Sequence, residues 1–61
     1  MPTGVSRLRV VIADDFPDAL AALTRTLEPH VDVVSVATDG EDLLRQVEAL
    51  LPDVVVRHLD A

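Results

Sequence analysis

Val10-Val11-Ile12-Ala13 runs without a break into Asp14-Asp15, and no other stretch restricts the fold as much. A short, continuous apolar run is the pattern of a strand covered on both faces, as in the centre of a parallel sheet. The two carboxylates that follow then stand at the carboxyl rim of the sheet, where open α/β sheets bind their ligands. With 61 residues the chain has room for one domain, and a domain this small buries only about 60% of the surface its unfolded form exposes. It has no cysteine, so neither a disulfide nor a thiolate metal site supplements that core.

The rest of the chain reads as elements wrapped around this strand. Residues 1–7 form a flexible lead-in of Pro, Gly and small polar types, and residues 8–61 form the domain. Strand one is expected at 8–13. Asp15-Phe16-Pro17-Asp18 marks a helix start, with Asp15 as the expected N-cap, Pro17 in the first turn and Asp18 near the positive helix end. Leu20, Leu23 and Leu27 follow at helical spacing beside Ala19 and Ala22, until Pro29 ends the helix. Residues 31–37 are rich in valine and partly alternating, which suits a second strand with one wet side at a sheet edge. Asp39 is placed to cap a second helix whose buried face is expected to be Leu43, Leu44, Val47, Leu50 and Leu51, with Pro52 as its stop. Asp53-Val54-Val55-Val56 opens a third strand.

Strand, helix, strand, helix, strand at this spacing implies an α/β fold, a parallel sheet joined by right-handed crossovers. With strand one central, the strand order is 2-1-3 and one helix covers each face. The rim at Asp14 and Asp15 is then a topological switch point.

Charge and motif content narrow the function. Five basic against eleven acidic side chains give a net charge of −6, which argues against direct nucleic-acid binding, because phosphate backbones bind clustered Lys and Arg. The opening residues are too polar for a signal peptide, and no apolar run approaches the roughly 20 residues that span a bilayer, so a cytoplasmic chain without membrane contact is expected. There is no Gly-rich phosphate loop and no Ser, Cys or His constellation for nucleophilic catalysis, and the Asp-x-Asp spacing of metal-dependent hydrolases is absent, so no enzyme is expected. Asp14 and Asp15 support two readings. They can hold one largely hydrated Mg²⁺, or one of them caps the following helix while the other is solvated. His30 reads as a solvated loop histidine.

Three blocks carry a resemblance: residues 8–15 (LRVVIADD) with a Pro-containing helix start, residues 36–44 (VATDGEDLL), and residues 52–56 (PDVVV). In this order and spacing they resemble the first half of a response regulator receiver domain, most of all receivers that precede a helix-turn-helix output domain. The resemblance implies a partial doubly wound, flavodoxin-like fold. It also implies that Asp14 and Asp15 bind Mg²⁺, that an aspartate at the end of strand three accepts a phosphoryl group, and that a histidine kinase or another receiver is the partner.

The end of the chain departs from that pattern. Counted from Pro52, the phosphoacceptor position holds His58, so no phosphoacceptor is expected. Arg57 falls where an apolar strand residue belongs, and burying an unpaired guanidinium is costly. Asp60 lies two residues too late, about 6 to 7 Å along a strand. Arg57-His58-Leu59-Asp60-Ala61 can be encoded CGA CAT CTC GAT GCC. One base on, the same bases read GAC ATC TCG ATG CC, or Asp-Ile-Ser-Met and the start of a Pro codon. A truncated receiver, frameshifted after Val56, is therefore expected.

Two functional readings follow. The chain is a receiver-type module of a two-component phosphorelay that binds Mg²⁺ weakly and has lost phosphotransfer to Asp. Alternatively it is a phosphorylation-independent pseudo-receiver, a small interaction module. In either case strand three is an exposed apolar edge, and self-association through it is expected.

Overall fold

The computed structural model describes residues 7–58. The central strand is the apolar run, β1 (Arg9–Asp14), flanked in parallel by β2 (Asp32–Ala37) and β3 (Val54–His58), so the order is 2-1-3. Helix α1 (Pro17–Leu27) joins β1 to β2, and α2 (Gly40–Leu50) joins β2 to β3. Most of the expected lead-in, along with Leu59, Asp60 and Ala61, lies outside the described residues. Arg7, the last residue of that lead-in, donates from its guanidinium to the carbonyls of Glu28 and Val31, just past the end of α1. That is a favourable place for a cation, since the carbonyl end of a helix is partly negative.

The central strand accounts for both halves of the core. On one face Val11 and Ala13 pack with Ala37 and Leu43 of α2, joined by Val34 and Val47. On the other, Val10 and Ile12 pack with Leu20 of α1, joined by Leu23, Leu27, Val33 and Val56. The one-helix-per-face arrangement follows from the crossover rule, and the valine-rich run is buried because each face has its own helix. Fully burying a Leu or Ile side chain stabilises the fold by about 1.5–3 kcal/mol, so these few contacts dominate a domain of this size.

Four details differ from the sequence reading. The N-cap of α1 is Phe16, in extended conformation and without a side-chain cap, instead of Asp15. Pro17 is the cause: a residue that precedes proline is pushed out of the helical region, so Phe16 must be the last non-helical position. On α2 only Leu43 is buried, while Leu44 and Leu51 are 61% and 74% exposed. The sheet is three strands wide, and α2 has one stripe of contact with it. Leu51 is the C-cap, in the left-handed region at φ 47°, so it points away from the stripe it continues in sequence. Thirdly, Arg57 is not buried: β3 begins at Val54 and runs through Arg57 to His58, pairing with Ala13 and Asp14 of β1. The Arg57 side chain lies beside a shallow hollow against α2, because β3 is an edge strand whose α2-side face is only partly covered among the described residues. The expected burial cost is therefore not incurred.

The fourth difference is in β2, where the pairing with β1 slips between Val33 and Ser35, leaving Val34 as an extra residue. This bulge explains the imperfect alternation. Val33 faces the α1 side while Val34 and Ala37 face the α2 side, and Val36 is paired with Ile12. One inserted residue resets which face each later side chain meets.

Candidate functional site

Two chain ends of the sheet carry polar groups, and they differ in kind. At the amino end, Asp53 clamps β1: its carboxylate accepts the Arg9 N–H at 2.8 Å and its own N–H donates to the Arg9 carbonyl at 2.8 Å. The Arg9 guanidinium in turn reaches the Leu51 carbonyl at 3.1 Å. Asp53 thus sets the entry of β3 beside β1, a structural role that the Pro52-Asp53 pair did not disclose in sequence.

At the carboxyl end stands Asp14, the last residue of β1 and only 1% exposed. Its Oδ1 accepts the Phe16 N–H at 2.9 Å, a two-residue side-chain turn that gives the first orphan amide before α1 a partner. Its Oδ2 lies 3.3 Å from Nδ1 of His58, whose side chain is 80% exposed. The β1–β3 register makes these two residues direct partners, Asp14 with His58. Alternation along both strands then puts their side chains on one face of the sheet. Asp15 is exposed, one residue beyond the strand.

The acidic corner expected from sequence is therefore present as geometry, and position 58 is the position of β3 that faces it. What the sequence did not disclose is the direct contact between Asp14 and His58, nor that Asp14 supports the start of α1. His30 is exposed in the turn after α1, apart from this corner in the topology. Asp39 does cap α2, accepting the Asp42 N–H at 2.8 Å.

Mg²⁺ prefers oxygen ligands in near-octahedral array and keeps several waters. At this corner one carboxylate is buried with both oxygens engaged, and the third group is an imidazole nitrogen. Among the described residues no group of three or more His, Cys, Asp or Glu converges to hold an ion. The residues present do not make a preformed Mg²⁺ site. Among the described residues no helix is long and apolar enough to cross a membrane.

No family model matches the chain, and no solved structure matches it. Curated relatives do. It is 45% identical over 60 residues to the transcriptional regulatory protein PrrA of Mycobacterium leprae, covering 98% of this chain and 26% of that protein. It is 41% identical over 56 residues to protein-glutamate methylesterase/protein-glutamine glutaminase 3 of Geobacter sulfurreducens, covering 88% of this chain and 15% of that protein. A methylesterase/glutaminase of Bordetella avium is 39% identical over 54 residues, covering 85% of this chain and 16% of that protein. The chain thus spans about a quarter or less of the length of these relatives. Proteins with such different names share the receiver domain of response regulators. The 2-1-3 parallel sheet matches part of a flavodoxin-like receiver fold, and with these relatives the chain is similar to part of a response regulator receiver domain.

Proposed function

We propose that the chain is a receiver-type module of a two-component phosphorelay that does not accept phosphate on an aspartate. The observation that carries this reading is the pairing of His58 with Asp14, which puts an imidazole where a receiver's reacting carboxylate would face the acidic corner. Asp14 and Asp15 bind Mg²⁺ weakly, through two carboxylates and water, with no third oxygen ligand from β3. The module is cytoplasmic and non-catalytic, with a histidine kinase or a second receiver as its partner, and it makes no direct contact with nucleic acid or membrane. Incubation with Mg²⁺ and a radiolabelled acyl phosphate tests the loss: alkali-labile label on an aspartate would overturn it.

A second reading is favoured by a different observation. Val54 and Val55 on the outer strand are 39% and 38% exposed, and β3 pairs only with β1 among the described residues. An unpaired apolar strand is a surface for pairing with another chain. On this reading the chain is a phosphorylation-independent pseudo-receiver that works by protein–protein contact, including self-association. Capture of a receiver partner at fixed stoichiometry, unaffected by His58→Ala, supports it over the first.

A further inference from the structure

His58 is exposed and, unlike an ordinary surface histidine, oriented. Its ring is 80% exposed, while the carboxylate 3.3 Å from its Nδ1 is 1% exposed and held from its other oxygen by the Phe16 N–H. A carboxylate oxygen facing Nδ1 favours the tautomer with its hydrogen on Nδ1, which leaves the lone pair at Nε2, across the ring from Asp14. A carboxylate behind one imidazole nitrogen orients the ring and presents the other nitrogen outward, which is how histidines are prepared as nucleophiles and ligands. The other histidine, His30, is also exposed, yet no hydrogen bond or ion pair holds its ring among the described residues. Helices α1 and α2 both begin at this end of the parallel sheet, and their partly positive N-termini offset the negative charge of the corner.

We propose that Nε2 of His58 is a phosphoryl acceptor, taking a phosphoryl group from a small phosphoramidate donor to give a phosphohistidine paired with Asp14. The class of electrophile rests on the phosphorelay reading above; the acceptor rests on the geometry. In the step, the Nε2 lone pair attacks phosphorus and a new N–P bond forms as the donor's own P–N bond breaks. That bonding pair leaves with nitrogen as ammonia. The ring retains its hydrogen on Nδ1, and its new positive charge lies against the Asp14 carboxylate.

The test is incubation of the whole chain with phosphoramidate, read by phosphorus NMR and by mass spectrometry in alkali, where phosphohistidine survives and acyl phosphate does not. The expected result is one alkali-stable, acid-labile phosphoryl group on His58, formed at least about tenfold faster than on His30. His58→Ala removes an exposed ring, leaves the fold intact and abolishes the label. Asp14→Asn keeps an acceptor oxygen without the charge and slows labelling by about 10- to 100-fold. Equal rates at His30 and His58 would show that exposure alone governs reactivity and would sink the proposal, as would a bare His58. A bare His58 with no aspartyl label overturns this inference only, whereas alkali-labile label on an aspartate overturns the preceding reading as well.

Discussion

Across the β1–β3 pairing, Nδ1 of the exposed His58 stands 3.3 Å from Oδ2 of the buried Asp14. One carboxylate therefore links three elements: β1 that carries it, β3 through the imidazole, and α1 through the Phe16 N–H at 2.9 Å. Removing it leaves the Phe16 amide without its acceptor and the ring without its partner. Asp14→Ala is expected to lower stability by about 1–3 kcal/mol, measured as a shift of the urea midpoint at unchanged slope. An unchanged midpoint would mean that the carboxylate is not structural.

The two helices bury narrower faces than their leucines suggest. Leu20 is 7% exposed and packs on Val10 and Ile12, while Leu44 is 61% exposed. Leu20→Ala is expected to cost about 2–5 kcal/mol, which is a large share of the stability of so small a domain. Leu44→Ala is expected to fall within about 0.5 kcal/mol of the parent. Equal losses in chemical denaturation would contradict the packing described for α2.

Leu51 holds a left-handed conformation at φ 47° with its side chain 74% exposed. A side chain in that region costs about 1–2 kcal/mol, and glycine avoids the cost while giving up about 0.4–1 kcal/mol of chain entropy. The net expectation is that Leu51→Gly stabilises the protein by up to about 1 kcal/mol, seen as a rise in the thermal midpoint. A fall would show that Leu51 contributes contacts that outweigh its strain.

The outer strand makes a prediction about assembly. Valines at 54 and 55 are more than a third exposed on a strand paired on one side only among the described residues. Lysine on an edge strand opposes pairing with another chain. Wild-type protein is expected to sediment as a concentration-dependent oligomer, and Val55→Lys as a monomer. Identical sedimentation of the two would place any contact elsewhere.

Much of this arrangement was legible in the residues themselves. The unbroken Val10–Ala13 run announced a central strand, and the two crossovers then left only the 2-1-3 order with a helix on each face. Asp39 read correctly as a cap because its carboxylate precedes the helix by one residue and meets the Asp42 N–H. Asp15 read wrongly because proline at 17 forces Phe16 to be the cap, a backbone restriction that outranks side-chain preference. The β2 bulge and the exposure of Leu44 were not legible, since both depend on how much sheet there is to cover. Likewise the count from Pro52 put His58 at the acidic corner, but only the β1–β3 register shows that its ring meets Asp14.

On the function proposed above, position 58 is the reacting position of a receiver's acidic corner, where an imidazole in place of a carboxylate disfavours Mg²⁺ and aspartyl chemistry. His58→Asp replaces that ring with a third carboxylate facing Asp14. Without metal the variant gathers like charges and is expected to be less stable than the parent; with Mg²⁺ the added oxygen ligand completes a hard-ion site. Isothermal titration of Mg²⁺ into parent and variant decides the matter. The prediction is weak binding by the parent and at least about tenfold tighter binding by His58→Asp; equal affinities would contradict the claim.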